Sequence, residues 1–350
     1  QRHPDLQSLS RLMRRLLVAV LLSLALVAGA GWLWLGALLD RGGTHTEVIE
    51  LRVVRGDSLR GSLQRLADAG ALQQPRLVER WVRWQYPKFI LKTGRYAIPS
   101  GATPRQIVAQ LSEGKVILES LTVIEGTRFA DFRRALEAHP EIKVTLRGLS
   151  DAEVMRELGL AGHPEGRFFP DTYRFAAGTS DRELLQLAHR RMNDLLMRLW
   201  ADRAQDLPIE TPEQALVLAS IIEKESGLAS ERPRVAGVFV SRLQLGMRLQ
   251  SDPTVIYGIG DQYDGNIRRI HLTTDTPYNT YTRRGLPPTA IALPSESALR
   301  SALQPRITGD LFFVATGDAD GSHRFSKTYA EHRIAVRAML ERQARERGRP

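Results

Sequence analysis

The chain contains no cysteine among its 350 residues. This absence excludes disulfide bridges, thiolate metal sites and cysteine nucleophiles. The sequence also shows no glycine-rich phosphate loop and no Ser-His-Asp order typical of a serine hydrolase. His323 and His332 lie nine residues apart beside a basic segment, and this arrangement favours structural or substrate-groove roles over metal ligation. We therefore expect no metal and no cofactor.

Charge is missing from one long stretch near the N-terminus. The segment from Leu16 to Leu39 contains no charged residue. It exceeds the roughly 20 apolar residues that a helix needs to cross a bilayer. It is too long for the core of a signal peptide, and no Ala-x-Ala cleavage site clearly follows it. The sequence therefore predicts a retained transmembrane helix over residues 16–39, with a buried soluble helix as the alternative.

The charges that flank this segment predict its orientation. Four arginines precede it and a nearly balanced pair follows it, namely Arg2, Arg11, Arg14 and Arg15, then Asp40 and Arg41. By the positive-inside rule, residues 1–15 form a cytoplasmic tail and the chain from about Thr44 onward lies outside the membrane. Trp32 and Trp34 suit the outer membrane interface.

The net charge of +10 and the sequence pI of about 10.2 would by themselves suggest nucleic acid as a partner. The predicted topology argues against that partner, because most of the basic residues lie outside the membrane. Anionic lipid headgroups or an anionic wall polymer fit better. We expect no nucleic-acid binding, and a topology assay that places the C-terminus outside would exclude it.

A polar linker over residues 40–47 is predicted to lead into a small module over 48–115. Residues 48–54 alternate apolar and polar side chains, as a strand does. The pattern V-x-x-G-D-S-L-x-x-x-L from Val53 to Leu63 is similar to the opening of LysM carbohydrate-binding modules. The alternative is a small αβ packing module without a ligand. Residues 116–350 are predicted to form a mainly helical catalytic domain with accessory strands, so the fold class is α+β.

The segment ASIIEKESG, residues 219–227, places two carboxylates at the end of an apolar helix. A helix is predicted over residues 215–226, ended by Gly227, and its apolar residues surround it almost completely, so it should be buried. Glu223 and Glu225 lie about 200° apart around this helix and cannot share a face. Glu225 follows the stripe of Leu218, Ile221 and Ile222.

Glu225 is therefore predicted to lie in an apolar pocket, with Ser226 available to bind or orient it. Apolar surroundings and the negative end of the helix dipole both disfavour its charged form. A glutamate that stays neutral near pH 7 can act as a general acid. The alternative is that Glu223 and Glu225 are both surface charges at a fraying helix end.

Several segments occur in a fixed order that resembles one family. They are PEGRFFPDTYRF, IIEKESG, ERPRVAGVFVSRLQLGMRLQSDPTVIYG, PYNTYTRRGLPPTAIALPSESAL and LFFVATGDADGSHRFSKTYAEH. Together with the LysM-like module they resemble the MltG (YceG-like) family of endolytic murein transglycosylases. The resemblance extends from the predicted membrane span nearly to the C-terminus, with no departure at the key positions.

The resemblance implies an enzyme of the bacterial inner membrane with a periplasmic catalytic domain. It implies internal cleavage of the MurNAc–GlcNAc β-1,4 bonds of peptidoglycan to leave 1,6-anhydro-MurNAc ends, and a role beside peptidoglycan synthases in terminating nascent strands. It places the catalytic glutamate immediately before Ser or Thr, which corresponds to Glu225. The expected sugar contacts are Gln250, Tyr278, Asn279 and Tyr281, with Ser226, Glu165 and Asp252 as further candidates.

Two other functions remain open from the sequence. A hydrolytic muramidase would use Asp252 or Asp171 as the base that activates water. A peptidoglycan-binding scaffold would need no catalytic residue, and its function would survive the substitution Glu225→Gln. The identity of the products distinguishes these possibilities.

Overall fold

A computed structural model describes residues 6–318 and 320–347, and the side chains of residues 13–318 and 320–345. Arg2 and Arg11 of the predicted cytoplasmic tail fall outside the described side chains. The helices are α1 Leu6–Asp40, α2 Leu59–Asp68, α3 Pro75–Gln85, α4 Pro104–Glu113, α5 Phe129–Ala138, α6 Asp151–Glu157, α7 Asp181–Ala201, α8 Pro212–Glu225, α9 Arg232–Gln244, α10 Asp252–Ile259, α11 Arg269–Thr273, α12 Glu296–Leu303 and α13 Tyr329–Arg347.

The strands form two-stranded pairs, β1 with β2, β3 with β4 and β5 with β6. The pairs β1–β2 and β5–β6 are antiparallel. Their bounds are β1 Ile49–Val53, β2 Gly94–Ile98, β3 Leu118–Thr122, β4 Thr172–Ala176, β5 Phe312–Ala315 and β6 His323–Ser326. This mixture of helices and strands agrees with the predicted α+β class.

Helix α1 contains the predicted membrane span. Its segment Met13–Asp40 is long and apolar enough to cross a bilayer, by length and composition, and its most apolar stretch is not buried by the protein. The alternative of a buried soluble helix does not fit this exposure. Leu39 is the exception near its end, since it is only 2% exposed.

The chain divides into two compact units. The N-terminal unit extends to Glu119 and includes Phe175–Gly178, and the C-terminal unit comprises Ser120–Arg174 and the chain from Thr179 onward. This division lies four residues beyond the predicted boundary between residues 115 and 116. Each unit has its own apolar core.

The core of the N-terminal unit is built on the order β1-α2-α3-β2. The two strands pair antiparallel, with Ile49 opposite Ile98 and Val53 opposite Gly94. Alternate residues of each strand are buried, as the period of a strand requires. Ser58 caps α2 by accepting a hydrogen bond from the Gly61 N–H, as serine commonly does at the start of a helix.

The segment between α1 and β1 is fastened to this unit. The Gly43 N–H donates to the Ala102 carbonyl at 3.2 Å, and the Thr44 N–H donates to the Gly70 carbonyl at 2.9 Å. A Cβ atom on Gly42 would lie 2.4 Å from the Gly101 carbonyl oxygen, so the close approach requires glycine. The segment predicted as a polar linker over residues 40–47 therefore packs against the N-terminal unit.

Helix α8 lies in the core of the C-terminal unit, packed against α7, α9 and α12. Every residue from Ala215 to Ile222 is buried, as the apolar composition predicted. The helix ends at Glu225 because Ser226 already has an extended backbone, with φ −126° and ψ 116°. The prediction that Gly227 ends the helix was wrong.

Two other elements begin close to a proline. Thr172–Ala176 forms β4, and Pro164, Gly166 and Pro170 all precede the strand. Residues 252–259 form α10. Pro253 occupies the first turn of α10, where proline loses no helical hydrogen bond.

Candidate active site

Glu225 is the last residue of α8 and is half-buried. The Ser251 hydroxyl donates a hydrogen bond to Glu225 Oε1 at 2.5 Å. Burial raises the pKa of Glu225 to about 7, the Ser251 hydrogen bond and the Arg242 charge oppose that rise, and the Asp252 charge adds to it. Removal of a carboxylate from water disfavours its charged form. Glu225 can therefore hold a proton near neutral pH.

Glu223 lies two residues earlier in a different environment. Its side chain is 4% exposed, and its Oε1 accepts a hydrogen bond from Arg232 Nη2 at 2.7 Å. Its Oε2 accepts from the Ser295 N–H at 2.8 Å and from the Ser295 hydroxyl. Glu223 thus connects the start of α9 to the N-cap of α12, and both of its oxygens are occupied by protein donors.

The two glutamates differ in the groups that surround them. Arg232 of α9 and Ser295 at the start of α12 enclose the Glu223 side chain. Glu223 has a buried cation beside it, whereas Glu225 has a hydroxyl donor and the adjacent charge of Asp252.

Ser251 holds Glu225, although the sequence had offered Ser226 for this role. The Ser226 hydroxyl donates to the Leu228 carbonyl at 3.0 Å and the residue is fully buried, so it can contact neither Glu225 nor a sugar. Ser251 is 1% exposed and its N–H donates to the Thr280 hydroxyl at 3.0 Å. The signal for Ser251 was a serine directly before the Asp-Pro pair that begins α10.

Three of the predicted sugar contacts surround Ser251. Tyr281 donates its hydroxyl to Asp252 Oδ1 at 2.6 Å, and Asp252 is exposed. Gln250 is also exposed, and its backbone N–H donates to the Thr280 carbonyl at 3.1 Å. Its φ of 53° lies in the left-handed region, which few residues other than glycine adopt. Gln250, Asp252 and Tyr281 therefore stand together beside Glu225.

Asn279 is buried and holds its own loop together. Its Nδ2 donates to the carbonyl oxygens of His271, Leu272 and Thr274, and its Oδ1 accepts from the Tyr281 N–H at 2.9 Å. It is 1% exposed. The prediction of a direct sugar contact at Asn279 does not fit this environment, and the residue instead positions Tyr281.

Glu165 and Tyr278 both contact a third residue, Tyr257. Glu165 is 6% exposed and accepts hydrogen bonds from the Phe129 N–H at 2.9 Å and from the Tyr257 hydroxyl at 3.1 Å. Burial raises the pKa of Glu165 to about 7. The Tyr278 ring packs edge-on against Tyr257, with ring centroids 5.0 Å apart. Glu165 is thus placed to fix Tyr257 and not to contact a sugar.

Tyr257 lies in the wall of a cleft of about 750 Å³ in the C-terminal unit. Lys224 and Pro253, the sequence neighbours of Glu225 and Asp252, also line it. The remaining lining residues combine apolar and charged groups, namely Gly126, Arg128, Asp131, Arg134, Ile256, Gly260, Asp261, Tyr263 and Ile291. Glu225, Gln250, Asp252 and Tyr281 are not among the lining residues, although two of their sequence neighbours are. The half-buried acid and the polar residues beside it are of the kinds that general acid–base catalysis requires.

The chain belongs to the YceG-like family, whose model matches residues 51–338. It is 26% identical over 330 residues to the endolytic murein transglycosylase of Bacillus subtilis strain 168, with 89% of this chain and 90% of that protein covered. It is 24% identical to the endolytic murein transglycosylase of Streptococcus pneumoniae strain D39, with 85% of this chain and 60% of that protein covered.

A solved structure supports the same relationship at the level of the fold. The crystal structure of a putative YceG-like protein from Listeria monocytogenes superposes with a TM-score of 0.51 at 26% sequence identity. The match covers 83% of this chain and 99% of that one. The membership inferred from ordered sequence segments is therefore confirmed.

Proposed function

We propose that this chain is a membrane-anchored endolytic peptidoglycan lytic transglycosylase. It cleaves the β-1,4 bond between MurNAc and GlcNAc within glycan strands, without water, and leaves 1,6-anhydro-MurNAc ends. Membership of the YceG-like family and the names of its relatives support the reaction. The observation that carries the proposal is the environment of Glu225, with a pKa raised by burial to about 7 and one oxygen held by Ser251.

The reaction needs one carboxyl group that acts twice. Neutral Glu225 donates its proton to the bridging oxygen, and the bond from MurNAc C1 to that oxygen breaks with its electron pair on the leaving group. The Glu225 carboxylate then takes the proton of the C6 hydroxyl while O6 bonds to C1. The proton returns to Glu225 and no water is consumed. Glycosidases that hydrolyse this type of bond usually need two carboxyl groups at a set separation.

The surrounding residues have distinct roles in this proposal. Ser251 orients Glu225, and Asp252 keeps it protonated and faces the positive charge that develops on the sugar ring. Gln250 and Tyr281 contact the sugar, and Tyr278 contributes through Tyr257 at the cleft wall. The N-acetyl carbonyl of the substrate shares the developing charge, as in substrate-assisted enzymes.

The proposal also covers location and partners. Helix α1 anchors the protein in the bacterial inner membrane, with both units in the periplasm, and peptidoglycan synthases are the expected neighbours at the growing strand. The β1-α2-α3-β2 order, together with the opening pattern at Val53, supports a LysM-like module in the N-terminal unit.

Product analysis tests the reaction type. Full-length protein in detergent is incubated with purified peptidoglycan in heavy-oxygen water, and the soluble products are analysed by mass spectrometry. We expect new ends that are lighter than a reducing end by one water and carry no heavy oxygen, on fragments of many lengths. Reducing ends with heavy oxygen would make the protein a muramidase with Asp252 as the base. The other candidate base, Asp171, is paired with Arg191.

The pH dependence of cleavage tests the environment of Glu225. The protonated form is the active one, so kcat/KM should fall as the pH rises through about 7. The Ser251 hydrogen bond lowers the pKa of Glu225 and the Asp252 charge raises it. We therefore expect Ser251→Ala to move this decline to higher pH and Asp252→Asn to move it to lower pH. Two profiles that shift in the same direction would contradict the assignment.

A further inference from the structure

The N-terminal unit exposes a set of large apolar side chains at one end of α3. Trp84 and Ile90 are 63% and 75% exposed, and Tyr86 between them is 38% exposed. With Lys88, these residues form what we call the α3 edge. Such a concentration of exposed aromatic and aliphatic side chains on one segment marks a contact surface for another apolar phase or partner.

The α3 edge lies beside the predicted membrane span. The ring of Trp84 packs edge-on against Trp32 of α1, with ring centroids 5.6 Å apart. At the other end of α3, Gln73 and Gln74 line a pocket together with Trp34, Leu38 and other residues of α1. Helix α3 therefore runs alongside the last turns of α1.

The length of the apolar segment indicates which residues of α1 lie at the outer surface of the membrane. Leu35 and Leu38 pack against the core of the N-terminal unit and Leu39 is part of that core, so these positions are not available to lipid. The remaining apolar stretch, from Leu16 to Trp34, comprises 19 residues. At 1.5 Å per residue it spans about 28 Å, close to the roughly 30 Å of a bilayer's hydrocarbon core. Trp32 and Trp34 then lie at the interface, and Trp84 lies at the depth of Trp32.

The segment that connects α1 to the rest of the N-terminal unit is packed, so the α3 edge cannot move away from the end of α1. Arg105 of α4 donates to Asp40 at the end of α1 at 2.9 Å. The Gly42 and Gly43 backbone is packed against the carbonyls of Gly101 and Ala71, as described for the fold. Since the helix passes directly into this packed segment, the orientation of α1 fixes the orientation of the unit.

The charges around the α3 edge suit a lipid surface. Arg76, Arg80 and Lys88 are exposed on or beside the same helix. The acidic residue of α3, Glu79, is buried and paired with Arg60 and Arg83. Basic side chains next to interfacial aromatics are attracted to anionic headgroups and to the boundary between headgroups and acyl chains.

We propose that the α3 edge inserts into the outer-leaflet interface of the bilayer that α1 crosses, so that the N-terminal unit is seated on the membrane. This inference rests on the proposed membrane span and not on the proposed reaction. Exposed aromatic rings can also bind a glycan strand. The contact between Trp84 and Trp32 of the predicted span favours lipid, because a glycan-binding surface would not need to lie beside the span.

The absence of cysteine allows a direct test in the full-length chain. Single cysteines at position 90 (Ile90→Cys) and position 100 (Ser100→Cys) are spin-labelled, and the protein is reconstituted into phosphatidylcholine vesicles with phosphatidylglycerol. Ser100 is the matched control, since it is exposed and its hydroxyl donates to the His45 carbonyl beyond the end of α1. Val27→Cys, in the middle of the span, provides the lipid reference.

We expect the label at position 90 to collide more often with oxygen than with a water-soluble nickel complex, as the label at position 27 does, and the label at position 100 to show the reverse. Equal aqueous exposure at positions 90 and 100 would overturn the proposal. A label at position 90 that becomes shielded only when glycan fragments are added would assign the surface to glycan. Both results are independent of catalysis, because neither labelled residue belongs to the candidate active site.

Discussion

Glu225→Gln is expected to reduce kcat/KM for glycan cleavage by about 10²- to 10⁴-fold, the usual contribution of a general acid–base group. Glutamine preserves the shape of the side chain and can still accept the Ser251 hydrogen bond, but it has no proton to give to the leaving oxygen. Because the wild-type group also takes the C6 proton, both halves of the reaction should be affected. The measurement is the rate of release of anhydro-muropeptides at several substrate concentrations, with the melting temperature recorded in parallel.

Glu213→Gln is the matched control for this substitution. Glu213 is exposed in the first turn of the same helix, α8, far along the helix from Glu225. We expect its rate and its pH profile to equal those of the wild type. Unchanged anhydro products from Glu225→Gln would remove Glu225 from the mechanism and direct attention to Glu165, whose pKa burial also raises to about 7.

The parts of the site that the sequence predicted depend on local periodicity. The burial of α8 follows from an apolar run with no polar face, and the position of Glu225 at its end follows from the helical period. The same local information predicted the apolar helix α1 and the strand β1.

The parts that the sequence did not predict depend on contacts between distant residues. Ser251 reaches Glu225 across 26 residues, and Ser295 reaches Glu223 across 72. The periodicity of apolar residues cannot reveal such a pairing. The sequence therefore suggested the adjacent Ser226 as the partner of Glu225, and it distinguished the two glutamates only by the helix face on which each lies. Asn279 departs from its expected role for a different, local reason, because its four side-chain hydrogen bonds lie within its own loop.

Arg232→Met is expected to destabilise the C-terminal unit strongly. Arg232 is buried, and its guanidinium bonds Glu223, the Ser295 hydroxyl and the Ser226 carbonyl. Methionine fills part of the volume but leaves the Glu223 carboxylate without a cation in a nearly water-free site. Loss of one partner of a buried pair typically costs about 3–5 kcal/mol.

Hydrogen exchange followed by mass spectrometry can measure this loss in peptides from α8 and α12 of the full-length chain. Since about 1.4 kcal/mol corresponds to a tenfold change, exchange should accelerate by roughly 10² to a few times 10³. Arg300→Met is the matched control, because Arg300 forms an exposed pair with Glu296 one turn away on α12. Such exposed pairs contribute only about 0.3–0.5 kcal/mol.

The double variant Glu223→Gln/Arg232→Met separates the charge from the packing. It removes the uncompensated carboxylate, so it should recover much of the stability that Arg232→Met loses, as buried ion pairs do when both charges are replaced. Equal losses in the single and the double variant would mean that Arg232 stabilises the unit through its hydrogen bonds to Ser295 and Ser226. In that case the charge of Arg232 would contribute little to the stability of the unit, and it would not explain how the environments of Glu223 and Glu225 differ.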